Sequence, residues 1–192
     1  MLILGSNSPR RLELLSQIGV KIDKVVAPNV DENQFLKELP KSYVKRIAFN
    51  KSKAIDRKLE DFVITADTVV VKGRRILGKP KDSTEAIRYL NYLSGARHRV
   101  LTAVCVSRND LTRSRIVETS VKMKSLSKLE VESYIESGEW KGKAGGYAIQ
   151  GRAALFIPSI SGSYSNVVGL PLTETVNLLI GMGFGMYQKV PK

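Results

Sequence analysis

A chain of 192 residues with 43% hydrophobic and 26% charged side chains can bury a core without disulfides or metals, and its composition excludes wholesale disorder. No apolar run approaches the ~20 residues of a membrane span, no basic segment precedes a signal-type apolar core, and the single cysteine, Cys105, excludes an internal disulfide. The net charge of +13 points to an anionic ligand or partner, or to a generally basic solvated surface; lysines and arginines run from Arg10 to Lys192 without a dense basic arm, which argues against a dedicated nucleic-acid partner.

These bounds predict a single domain over residues 1–192 of a cytoplasmic protein with no membrane partner. Met1 to Leu4 reads as a short buried strand, which Gly5 ends, and Ser8 then stands as the N-cap of a helix with Pro9 at its first position. Leu12, Leu14, Leu15 and Ile18 form its core stripe and Gly19 its C-terminal glycine. A helix start offers free N–H groups and partial positive charge; Ser6, Ser8, Arg10 and Arg11 surround this one. The turn therefore suits a polyanion, although it carries neither a second fingerprint glycine nor a Walker lysine, and a capped helix after a strand is common in α/β folds.

Lys24 to Ala27 is expected to be a short strand, and the following loop carries Asp31 and Glu32, able to bind a cation or simply to sit in solvent. From Lys41 to Arg57, Val44, Ile47, Ala48, Ala54 and Ile55 recur at helical spacing. Lys45, Arg46, Lys51 and Lys53 occupy its remaining positions as a wet face, from which Lys51 or Lys53 could turn into a cleft. The β-branched run Phe62 to Val71 reads as a central strand interrupted by Asp67 and Thr68. A buried carboxylate is costly, so Asp67 is satisfied by hydrogen bonds, exposed at a bend, or functional. A hairpin turn over Lys72 to Arg75 leads to Ile76 and Leu77, and Gly78-Lys79-Pro80 presents one ammonium.

Asp82 and Glu85 form a capping box for a helix through Ser94, with Gly95 ending it. Val100 to Ser107 and Ile116 to Lys124 read as strands, with Cys105 as buried filler and His98, the only histidine, in a hydrogen-bonding role at a strand edge. One histidine and one cysteine leave no basis for a zinc site. Ser127 and Glu130 box a further helix through Ile135. Gly138 to Gly151 holds five glycines in fourteen residues, so its backbone turns sharply or approaches something closely; Lys143 and Gln150 are its polar candidates. Ala154 to Ile157 reads as strand, Leu172 to Ile180 as a last amphipathic helix, and Tyr187 to Lys192 as a loose tail.

Six motifs stand in order: Ser6-Asn-Ser-Pro-Arg-Arg11, Asp31-Glu32, Ala66-Asp-Thr68, Gly78-Lys-Pro80, Lys143 to Gly151 and Gly162 to Leu172. Together they closely resemble the Maf family of nucleoside triphosphate pyrophosphatases, from Leu2 to about Ile180. The resemblance implies an α/β fold like that of inosine triphosphate pyrophosphatases: a long twisted mixed sheet with surrounding helices and two lobes around a nucleotide cleft. It implies hydrolysis of a nucleoside triphosphate to the monophosphate and pyrophosphate with a divalent cation, Mg²⁺ or Mn²⁺. Arg11, Ser6, Ser8, Lys51 and Lys79 would hold phosphates, Glu32 would help hold the metal, and Asp67 would accept the proton and serve the metal. Arg10, Thr68 and Gln150 resemble the subgroup acting on dTTP and UTP, not the one acting on methylated GTP. The resemblance is compatible with a homodimer and carries a link to arrest of septum formation, the competing regulatory reading.

Elementary chemistry fits these implications. Attack of water at the α-phosphorus expels pyrophosphate, and the charge that develops needs fixed cations, which Arg11, Lys51, Lys79 and the helix N-terminus supply. Oxygen ligands from Glu32, Asp67 and phosphates suit Mg²⁺ or Mn²⁺. Arg10 and Gln150 can donate to the carbonyls of uracil or thymine, and the amide also offers an acceptor to ring N3–H. One loop departs from the family pattern: Glu139-Trp-Lys-Gly-Lys-Ala-Gly145 has Trp140 where proline is usual and Gly142 where aspartate is. Trp140 reads as an apolar loop anchor, with cover over the cleft as the alternative.

Overall fold

The computed structural model describes residues 1–186; the expected tail at Tyr187 to Lys192 lies outside them. Its frame is a seven-stranded mixed sheet in the order β2-β1-β3-β5-β6-β7, with β4 on β3. The strands are β1 (Leu2–Gly5), β2 (Lys24–Val26), β3 (Phe62–Lys72), β4 (Arg75–Leu77), β5 (Arg97–Arg108), β6 (Leu111–Lys122) and β7 (Ser159–Ser161). The helices are α1 (Pro9–Gln17), α2 (Pro40–Lys53), α3 (Ser83–Leu93), α4 (Lys128–Glu136), α5 (Tyr164–Val168) and α6 (Leu172–Gly181).

Strand β3 organises the sheet. It runs parallel to β1 over Phe62 to Thr65 and antiparallel to β4 over Val70 to Lys72, on the edge opposite to β5, which it meets antiparallel from Val63 to Val71. Residues 66–69 therefore fall in a notch, because β1 has ended and β4 has not begun. Side chains alternate along β3. Val69 and Val71 pack under α2 with Val44 and Ala48, and Val63 packs with Ile3 and with Ile55 just beyond α2. Phe62, Ile64 and Ala66 join the core beneath α1 and α6, with Leu14, Leu15 and Leu179. Val70, on that same face, belongs instead to a separate core beneath α3 and α4, with Leu90, Tyr134 and Trp140. These two cores form the two lobes, and the notch lies between them.

Local chemistry explains most boundaries and corrects several expectations. Ser127 and Glu130 make the full reciprocal capping box of α4. At α3, Asp82 accepts from Glu85 N, but the Glu85 carboxylate accepts from Lys81 N, one residue before the expected partner. Ser8 has N-cap backbone geometry without a side-chain cap bond, and Leu12 is 39% exposed, outside the stripe of Leu14 and Leu15. Gly5 is the last residue of β1, and a Cβ there would lie 2.7 Å from Thr65 Cγ2, so contact with β3 demands the glycine. Ala54 is exposed beyond α2, which stops at Lys53. The expected strand at Ala154 to Ile157 is a 3₁₀ segment, Arg152–Phe156, and β7 follows it instead. Short apolar runs do not distinguish these states by periodicity.

Candidate active site

The sheet notch opens into a cleft of about 380 Å³ between the lobes. The ten residues given phosphate, base, metal or proton roles line it: Ser6, Ser8, Arg10, Arg11, Glu32, Lys51, Asp67, Thr68, Lys79 and Gln150. Asp31 does not; its carboxylate turns back to accept from Asn33 N at 2.8 Å. The adjacent acids thus divide, with only Glu32 reaching the cleft.

Helix α2 places Lys51 one side chain away from β3, and its ammonium contacts Asp67 Oδ1 and Glu32 Oε1, each at 2.7 Å. Lys51 and Asp67 are buried, whereas Glu32 sits at the mouth with its side chain 44% exposed. Burial opposes ionisation of Glu32, but the hydrogen bond and charge of Lys51, helped by Lys79 and Arg11, outweigh it and hold its carboxyl below the usual range. A carboxylate whose folded value is depressed contributes stability above its unfolded value and loses that contribution as pH falls through the folded one. Tyr43, also on α2, donates to Glu32 O at 2.8 Å; burial and then the Asp67 and Glu32 charges push its phenol up to about 12, leaving it a neutral donor.

Arg11 has a different environment from the one expected for a free phosphate ligand. Its Nε donates to Gly169 O at 2.8 Å, Nη1 to Ala66 O at 2.8 Å and Ser6 Oγ at 3.0 Å, and Nη2 to Thr68 Oγ1 at 3.1 Å. Its 8% exposure and this fork of acceptors make it a staple across the notch, joining the β1–α1 turn, β3 and the segment after α5. Burial lowers its pKa, with the Asp67 charge opposing that shift. Arg10 is half-buried, donates from Nε to Val168 O at 3.4 Å, and is likewise lowered by burial. Thr68 also shares a hydrogen bond with Thr102 at 3.0 Å.

The opposite wall is built from two loops. Gly145 N donates to Gly78 O at 2.9 Å, which ties the Lys79 loop to the glycine-rich segment. Gly145 has φ +69, and a Cβ there would lie 2.8 Å from Val70 Cγ2. Both the positive φ and the close approach require glycine. Lys79 and Gln150 are exposed, while Lys143 is partly buried, its ammonium lowered by burial and then by Arg10. Gly142 lines the cleft at φ +67. Trp140 is an anchor: it is 8% exposed in the α3–α4 core and its indole donates to Ile135 O at 3.1 Å. His98 and Tyr147 share a 2.7 Å hydrogen bond beneath this wall.

Among the described residues, no three His, Cys, Asp or Glu side chains gather in one place. Glu32 and Asp67 nevertheless converge on one cation, the Lys51 ammonium. Two carboxylates aimed at a shared positive charge suit a hard divalent ion, which takes one or two of them and completes its shell with substrate phosphates and water. They are the residues able to hold it.

Residues 1–182 match the family model described as Maf-like protein. The chain belongs to the Maf family. It is 54% identical over 187 residues to the dTTP/UTP pyrophosphatase of Cereibacter sphaeroides, covering 97% of each chain. It is 53% identical over 184 residues to the Roseobacter denitrificans protein of that name, covering 96% of this chain and 98% of the relative. A solved structure, the Staphylococcus aureus Ham1 protein, is similar with TM-score 0.45 and 17% identity over 64% of this chain and 71% of that one.

Sequence reasoning missed Tyr43, placed Arg46 on the solvated face, and left the carbonyls of Ala66, Val168 and Gly169 unseen. Main-chain acceptors leave no trace in residue type. The Gly162 to Leu172 motif was visible without its role: Asn166 donates to Val100 O and Thr119 Oγ1, fixing to the sheet the segment whose carbonyls hold Arg10 and Arg11.

Proposed function

We propose that the chain hydrolyses dTTP and UTP, releasing pyrophosphate and leaving the nucleoside monophosphate. The observation that carries this reading is the Asp67–Lys51–Glu32 array, running from the buried Asp67 to Glu32 at the mouth of a cleft that α1 enters by its N-terminus; the names of the relatives agree with it. Water attacks the α-phosphorus, the bond from that phosphorus to the α,β-bridging oxygen breaks, and pyrophosphate leaves with the electron pair. Asp67 takes the proton from the attacking water. Lys51, Lys79 and the α1 N-terminus face the phosphate charge, and Arg11 keeps Ser6 and Thr68 in register beneath it. Glu32 and Asp67 would hold a divalent ion, Mg²⁺ or Mn²⁺, which when bound would supply Lewis-acid stabilisation of the phosphate oxygens. Arg10 and Gln150 read the pyrimidine carbonyls, and the amide accepts from N3–H.

Among the described residues no helix is long and apolar enough to cross a membrane, and a cytoplasmic housekeeping role in nucleotide pools, with a homodimer as the working assembly, completes the proposal. Pyrophosphate release from each NTP and dNTP, with Mg²⁺, Mn²⁺ or chelator, tests it. Metal-dependent release from dTTP and UTP is expected. Preference for guanine nucleotides overturns the base assignment alone, and silence with every nucleotide overturns the activity.

A further inference from the structure

The segment that brings Glu32 to the cleft has no helix or strand of its own from Pro28 to Leu39 and exposes Phe35, Leu36 and Leu39 to solvent. Such a stretch does not hold a carboxylate in place by packing. Side chains of α2 fasten it, and above all Arg46. Arg46 Nε donates to Glu38 Oε1 at 2.7 Å, and Nη2 to Glu38 Oε2 at 2.6 Å and Asn33 O at 2.9 Å. Its guanidinium lies 3.8 Å from the centre of the Phe35 ring and 5.5 Å from that of Tyr43. Glu38 accepts in addition from Phe35 N at 3.1 Å, closing the segment on itself.

We propose that Arg46 is a positioning residue for Glu32, clasping residues 33–38 onto α2 so that the Glu32 carboxylate meets Lys51 at the cleft mouth. The geometry separates this pair from ordinary surface ion pairs, which contribute little because neither partner is held. The Arg46 fork is bidentate, flanked by two rings, and its carboxylate partner is 9% exposed. Helix α2 thereby carries three successive holds on the segment: Arg46 on residues 33 and 38, Tyr43 on Glu32 O, and Lys51 on the Glu32 carboxylate. The first two fix the backbone and the third reads the result. The inference rests on the functional reading of Glu32 for its kinetic consequence, and on geometry alone for the clasp.

The test uses the intact protein and the variants Arg46→Gln, Glu38→Gln and the pair combined. Lys37, exposed at φ +61 within the clasped segment, is a cleavage site for a lysine-specific endoproteinase. Each single variant should be cut after Lys37 about tenfold faster than the parent, with the melting temperature kept and the double variant no faster than either single one. The half-saturating Mn²⁺ concentration for pyrophosphate release should rise roughly tenfold, while kcat at saturating Mn²⁺ holds within about twofold. Unchanged cleavage overturns the clasp. Faster cleavage with an unmoved Mn²⁺ requirement overturns the positioning role. If the parent releases no pyrophosphate, the functional reading has failed separately, and Mn²⁺ binding by calorimetry replaces turnover in deciding the positioning role.

Discussion

The two walls of the cleft are made differently. On one, Ser6, Arg11, Lys51 and Asp67 are buried and bonded to one another or to main-chain carbonyls across the sheet notch. On the other, Lys79 and Gln150 stand exposed on loops joined to each other by the Gly145–Gly78 hydrogen bond. Reacting groups gain from being held before substrate arrives, because reorganisation during the reaction adds to the barrier. Under the proposed function the contrast places the proton acceptor Asp67 and Lys51 on the rigid wall, and Lys79 and the base-reading Gln150 on the looser one.

Removing the central carboxylate tests the rigid wall most severely. Asp67→Asn should lower kcat for dTTP by about 10³-fold, on the order of 4 kcal/mol, at saturating metal, with folding retained. Turnover near the parent level by single-turnover kinetics would move the proton acceptor elsewhere.

A smaller effect is expected at the root of the looser wall. Burial, with the Lys72 charge adding, holds His98 down to about 4, so it is neutral where it meets Tyr147. The unfolded chain binds that proton first, so stability is full above pH 6.5 and lost as pH falls toward about 4. The loss through this group is on the order of 3 kcal/mol. Denaturant titrations at pH 8 and pH 4.5 should show a smaller decline in His98→Gln than in the parent; equal declines would show that His98 takes no part.

Gln150→Ala should have the mildest consequence, lowering kcat/KM for dTTP and UTP by about tenfold, or roughly 1.4 kcal/mol, without changing metal dependence. Competition between dTTP and the other nucleotides measures it, and an unchanged preference would remove Gln150 from base recognition.

The same contrast governs what could be read from sequence. Strands β1, β3, β5 and β6 and helices α1 to α4 follow from apolar spacing, caps and terminal glycines, although β6 begins at Leu111, five residues before the apolar run suggested. The polar run Thr112 to Arg115, with Arg113 and Arg115 exposed, hid that extension, since pairing with β5 decides it. The cleft residues were legible as motifs, because their types carry chemistry. Their holds were not: Arg46 looked like any cation on a helix surface, and two of the four acceptors of Arg11 are peptide carbonyls from distant segments, Ala66 on β3 and Gly169 after α5. Ala154 to Ile157 failed for a local reason, as four apolar residues suit a 3₁₀ turn as well as a strand.

The staple formed by Arg11 changes how substitutions at that position are to be interpreted. An unfilled stretch of strand edge offers its peptide groups to any passing strand, and Arg11 closes the one beside Ala66. Replacing it with lysine keeps a positive charge but gives up the planar fork that reaches four acceptors at once. A loss of turnover there would mix electrostatics with carpentry, and a gain in self-association would be the mark of the second.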